Sequence, residues 1–114
     1  MMKRRVLPGI AGMWLISMAG ACWASGPDSQ QLEQGKTLFL SGSVPACAIC
    51  HALQDAGAAG AIGPDLDELK PDAERIKKVL EEGMGVMPSF ADSLDEAAME
   101  AIAAYIVHAT GGGQ

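Results

Sequence analysis

Three stretches of the chain carry apolar residues at helical spacing, and the stretches between them have no period. The first runs from about Ser29 to Leu40. Leu32, Gly35 and Phe39 fall at i, i+3 and i+7 on one face, with Asp28 or Ser29 in the capping position. The second begins at Pro71, a residue suited to a first helical turn. It carries Ile76, Val79 and Leu80 on one face, and Gly83 ends it. The third begins at Ser93, where Ser93-Leu94-Asp95-Glu96 has the form of a capping box. Its apolar stripe is Leu94, Ala98, Ala101 and Tyr105, broadened by Ile102 and Ile106. No segment alternates at period two, so the expected class is all-α with no substantial sheet. The stretch from Ala52 to Lys70 is rich in Ala and Gly and has no period. A loop that long in a compact domain is usually functional or disordered, and here something must fill the space it encloses. The tail, Gly111-Gly112-Gly113-Gln114, reads as frayed, and there is no internal repeat.

The N-terminus changes what counts as the folded chain. Lys3, Arg4 and Arg5 precede an uncharged apolar stretch from Val6 to Ala21, then the small-residue segment AGACWAS. Basic, apolar and small residues in that order form a secretory signal. Cleavage is expected after Ala24, with Ala21 the second choice, giving a leader over 1–24 and one domain over 25–114. Pro8 and Gly9 break the apolar stretch, which is short for a membrane span of about 20 residues. An uncleaved anchor is the competing reading. A lipid-carrying Cys22 is another, although Ala19-Gly20-Ala21 is a poor approach to such a site. Export through the inner membrane places the mature chain in the periplasm.

Removing the leader alters the composition in three ways. Cys22 goes, so only Cys47 and Cys50 remain. Trp14 and Trp23 go, leaving Phe39, Phe90 and Tyr105 as the aromatics. Five Lys and Arg then face fourteen Asp and Glu, a formal charge of −9. A chain that acidic repels nucleic acid, whose binding needs cations against phosphates. It also has little aromatic mass for a core, and a domain of 90 residues usually needs a staple beyond apolar burial. A covalently bound apolar cofactor would supply one.

The chemistry concentrates in Pro45-Ala46-Cys47-Ala48-Ile49-Cys50-His51. A zinc site would want two more ligands at similar spacing, and the other His is the distant His108. A thioredoxin-like couple would want a strand before the motif. A disulfide here would close too small a loop to restrict the unfolded chain much. Haem accounts for every residue of the motif. Each thiol adds to one vinyl group, and the adjacent His51 lies under the iron as proximal ligand. The far face has Met84, Met87 and His108 as candidates. Met87, in Gly85-Val86-Met87-Pro88-Ser89-Phe90, sits in a loop stiffened by the following Pro and is the favoured sixth ligand. A thioether opposite a His raises the reduction potential. Met84, between two glycines, fits better as a gap-filling methionine. His108 lies in the last turn of the third helix, where a surface His favours the helix dipole.

With these residues the chain resembles class I c-type cytochromes from about Gln31 to Ala109. The likeness is carried by Gly35 and Phe39, Cys47-Ala48-Ile49-Cys50-His51, Gly63-Pro64-Asp65-Leu66, Met87-Pro88-Ser89-Phe90 and Tyr105. It implies about three main helices plus irregular loops wrapped around one covalent haem c, with the first and last helices crossing. It further implies that the Pro64 carbonyl accepts the Nδ1–H of His51 and that Leu66 lines the haem pocket. The wording from Cys47 to Ile76, followed by Gly83 to Phe90, is similar to the small cytochrome partners of bacterial sulfite dehydrogenases. That likeness implies a molybdenum-cofactor subunit as electron donor and a downstream oxidase as acceptor. The expected activity is outer-sphere electron transfer, with no catalytic residue in this chain. Two readings compete: a general shuttle to a membrane oxidase or peroxidase, and a haem enzyme or gas sensor with Met87 weakly held. Asp65, Asp67, Glu68, Asp72, Glu74, Glu81 and Glu82 form either a solvated face or a docking surface for a basic partner.

Overall fold

In the computed structural model the described residues are 26–113, with Gly9, Gly12 and Gly20 ahead of them. The expected leader and Cys22 otherwise lie outside the described residues, as does Ser25, the expected first residue of the mature domain. Five α-helices and one two-stranded sheet follow in the order α1 (Ser29–Thr37), α2 (Cys47–Cys50), β1 (His51–Leu53), β2 (Ala58–Ala61), α3 (Leu66–Leu69), α4 (Ala73–Glu82) and α5 (Glu96–Thr110).

The frame is the pairing of α1 with α5, the most extensive contact between elements. Asp28 caps α1 by accepting from the Gln31 N–H at 2.7 Å, and the helix loosens into a π-helical turn over Leu38–Gly42. The crossing depends on Gly35. A Cβ there would run into the Ala101 carbonyl and come within 2.6 Å of the Tyr105 Cβ. Backbone therefore meets backbone, and Phe39 can reach the Tyr105 ring edge-on at 6.1 Å. Phe39, Ala101 and Ile102 are fully buried beside this crossing.

Asp72 caps α4 through the Arg75 N–H at 2.8 Å. Pro71 thus precedes the cap instead of opening the helix, because the Asp72 carboxylate can satisfy a free amide and a proline cannot. Ile76 and Leu80 are buried as the pattern required, and Gly83 ends the helix at φ 73°. The third predicted helix starts later than Ser93. Asp95 is the cap, accepting from Ala98 N–H at 2.8 Å, while Ser93 and Leu94 turn back onto the Phe90 carbonyl at 3.1 and 2.8 Å. A carboxylate outcompetes a hydroxyl two residues earlier. Leu94 and Met99, buried on either side of that cap, occupy the positions of a hydrophobic staple.

Two expectations need correction. The chain is mostly helical but not all-α, since the Ala-rich stretch forms an antiparallel hairpin of β1 and β2 with an irregular register. It shows no alternation because Gly60 presses against the Cys50–His51 backbone, where a Cβ would lie 2.6 Å from the Cys50 carbonyl carbon. The tail is also ordered as far as Gly112, which is buried. Its N–H donates to Thr110 Oγ1 at 3.2 Å, and a Cβ there would strike the Pro71 carbonyl at 2.5 Å.

One polar contact ties the helical frame to the loop. The Tyr105 hydroxyl donates to Asp55 Oδ2 at 2.6 Å, and Lys36 Nζ donates to the Asp55 carbonyl at 2.9 Å. The Tyr105 bond, aided by Lys36, holds the Asp55 carboxyl below its ordinary 3.8. Burial, together with the Asp55 charge, pushes the Tyr105 phenol up. Asp55 contributes stability above its unfolded pKa, and that contribution is lost as pH falls through its folded value. Tyr105 contributes below its unfolded pKa and loses its part as pH rises towards its folded value. Tyr105→Phe should therefore cost about 1 kcal/mol at neutral pH, the low end for a charged hydrogen bond because the carboxylate is half exposed. The gap to the parent protein should narrow below about pH 3.8 and above about pH 10 in urea unfolding.

Candidate haem site

The motif cysteines sit on the single turn α2, which begins after the extended Ala46 and ends when His51 donates its N–H to the Cys47 carbonyl. The next three residues enter β1, so the chain leaves the turn straight and His51 is half-buried. Both cysteines are free thiols. Burial pushes the Cys47 thiol up, with the Ser43 hydroxyl pulling the other way. Ser43 Oγ lies 3.6 Å from Cys47 Sγ.

His51 is fixed by its far nitrogen. Its Nδ1 is 2.8 Å from the Pro64 carbonyl oxygen, which accepts from Nδ1–H and leaves Nε2 as the basic nitrogen. The loop reaches that position because Gly63 lies against the ring. A Cβ at 63 would be 2.5 Å from His51 Cε1 and 2.8 Å from Nδ1. Gly63 also donates its N–H to the Cys50 carbonyl at 2.7 Å. Asp65 then starts α3, accepting from Asp67 N–H at 2.9 Å, and this turn carries Leu66 into the core.

Met87 is held by a tight turn. Met84 and Met87 exchange backbone hydrogen bonds of 3.0 and 2.9 Å, with Gly85 at φ 57° between them. Gly83 lets this turn fold back, since a Cβ there would lie 2.8 Å from the Met87 carbonyl. Beyond it, Phe90 N–H donates to the Leu80 carbonyl at 2.7 Å and Ser89 Oγ to the Glu81 carbonyl at 2.5 Å. Met87 packs on the core, whereas Met84 is 63% exposed.

These separate segments line one cavity of about 380 Å³. Cys47, Cys50, His51, Pro64, Leu66 and Met87 all face it. So does Met84, and His108 does not, being exposed on α5. Apart from Arg75, the rest of the wall is apolar, and Phe39, Ile76, Leu80, Phe90, Ile102 and Ile106 belong both to the cavity and to the hydrophobic core. The donor set fits haem and nothing else proposed from the sequence. Two thioethers, of Met87 and the more exposed Met84, and one imidazole share a cavity with two thiols, in a mostly apolar wall. Among the described residues no cluster of three or more His, Cys, Asp or Glu could hold a metal ion. The sequence did not reveal Ile62 and Val86 as part of the wall, because residues on irregular segments have no period to mark them.

The family model for cytochrome c oxidase, cbb3-type, subunit III matches residues 30–106. The chain belongs to the c-type cytochrome family. Its fold matches the crystal structure of the c-type cytochrome SorU from Sinorhizobium meliloti, with a TM-score of 0.70 and 44% sequence identity, covering 75% of this chain and 97% of that one. A comparison with curated proteins found no match. The protein is thus an electron-transfer protein and not an enzyme, and a cytochrome c domain implies covalently bound haem c. Among the described residues no helix is long and apolar enough to cross a membrane.

Proposed function

We propose that this cytochrome is a periplasmic mono-haem carrier, cut from its leader after Ala24, that accepts single electrons from a molybdenum sulfite dehydrogenase subunit. The observation that carries the site is that Cys47, Cys50, His51 and Met87, from two distant segments of the chain, line one mostly apolar cavity. Each thiol adds its S–H across one vinyl group, so both thioethers form without an oxidant. His51 through Nε2 and Met87 through its thioether would be the side chains that hold the iron. Pro64 orients His51, and Leu66 excludes water. When bound, haem c supplies a one-electron couple, while the protein holds one edge near the surface and sets the potential by ligands and burial. With His51 and Met87 both as ligands, haem would offer substrate no open site.

The sulfite partner is favoured by the loop wording from Cys47 to Phe90 and by the likeness to SorU. A second reading, delivery to a membrane terminal oxidase, draws on the family model, which is that of an oxidase subunit. The acidic run supports docking only in part. Asp65 and Asp72 cap helices, Asp67 accepts from Gln54 N–H, and Glu74 pairs with Lys77 at 3.7 Å. Glu68, Glu81 and Glu82 remain on the exposed face for a basic partner.

Met87→Ala should let the reduced protein bind carbon monoxide rapidly, while the parent and Met84→Ala bind it slowly or not at all. Rapid binding by the parent would favour the enzyme or sensor reading. For the partner, the oxidised haem protein is mixed with periplasmic extract from its own source and with sulfite. Fast haem reduction is expected only in the complete mixture. No reduction, with sulfite oxidation in the extract still active, would leave a general shuttle.

A further inference from the structure

Three hydrogen bonds around His51 join residues at one constant offset. Gly63 N–H donates to the Cys50 carbonyl at 2.7 Å. His51 Nδ1–H donates to the Pro64 carbonyl at 2.8 Å, across 13 residues. Gln54 N–H donates to Asp67 Oδ2 at 2.7 Å, again across 13 residues. A constant offset means that segments 50–54 and 63–67 run side by side in the same direction. The first two bonds lie at one end of this strap. The third closes the other end, and its acceptor is a side chain.

From this geometry we infer that Asp67 is a positioning residue for His51, setting the orientation of the imidazole plane in the haem site proposed above. Without the Gln54–Asp67 bond the strap keeps its hydrogen bond at the Gly63 end, while Leu66 holds its other end by packing alone, so the Pro64 carbonyl and the imidazole it grips can turn together. The segment is also held from the opposite side, where Tyr105 and Lys36 bind Asp55, the residue after Gln54. That clasp fixes segment 50–54 on the helical frame, so the movable partner is 63–67. Asp67 is half-buried and accepts the Gln54 N–H. Its neighbour Glu68 is exposed, and its backbone N–H donates to Asp65 Oδ1 at 3.4 Å.

The test uses the full haem-loaded protein and reads the paramagnetically shifted haem-methyl signals of the oxidised form, whose pattern follows the orientation of the axial ligand planes. Asp67→Ala should change the order or spread of the four methyl signals and shift the midpoint potential. Asp67→Asn, whose amide oxygen can still accept, should restore both. Glu68→Ala removes the same charge one residue away and should leave the methyl pattern unchanged. Gln54→Pro deletes the donor and keeps the carboxylate. It is compatible with the backbone because Leu53 before it is extended at φ −155°, ψ 112°, and it should reproduce the Asp67→Ala pattern. It also serves if Asp67→Ala does not mature. The inference is overturned if Asp67→Ala or Gln54→Pro lowers the melting temperature without moving the methyl pattern, or if Glu68→Ala moves it equally. Absence of shifted His ring signals in the parent protein would defeat the His51 assignment itself, a distinguishable failure.

Discussion

The bond from His51 Nδ1 to the Pro64 carbonyl, 2.8 Å long, is the constraint on which the rest of this structure depends. It joins the loop to the imidazole itself, between the Gly63–Cys50 and Gln54–Asp67 bonds that hold the same two segments together. To make it, residue 63 must be Gly, since any Cβ would enter the imidazole. The hairpin that returns the chain to that point needs Gly60 flat against the motif backbone. Asp65 must cap α3 so that Leu66 turns inward. Each requirement is local, and together they give the proximal wall of the cavity.

That wall and the hydrophobic core are made largely of the same residues. Phe39, Leu66, Ile76, Leu80, Phe90, Ile102 and Ile106 serve both. A chain with so few aromatics does not first build a core and then add a site. The apolar cofactor is the larger part of what these side chains were placed to cover, in keeping with the need of small domains for a staple. The remaining core lies at the α1–α5 crossing, where small residues let two backbones touch and Phe39 meets Tyr105.

Much of this was legible in the sequence, for identifiable reasons. The apolar faces of α1, α4 and α5 were readable because helical burial leaves a period. The motif was readable because its chemistry fixes its spacing, and Pro64 and Leu66 followed from family resemblance. What escaped was set by competition or by distance. Asp72 and Asp95 took the caps from the residues read as starting those helices, because a carboxylate at the right offset is the stronger acceptor. The hairpin escaped because alanine and glycine carry no alternation. The Tyr105–Asp55 and Gln54–Asp67 bonds escaped because they link residues 50 and 13 apart, with no pattern to pair them. They turned two acids that read as a solvated face or loop into structural acceptors.

The central claim is that Cys47 and Cys50 hold one haem covalently in a chain that begins at Ser25. Intact mass measurement of the protein isolated under denaturing conditions from its native compartment tests it most directly. The account predicts a mass equal to residues 25–114 plus one haem, retained through denaturation, with covalent haem lost when both cysteines are replaced by Ala. A mature chain that carries no added haem mass, or one that keeps covalent haem after both replacements, would contradict it.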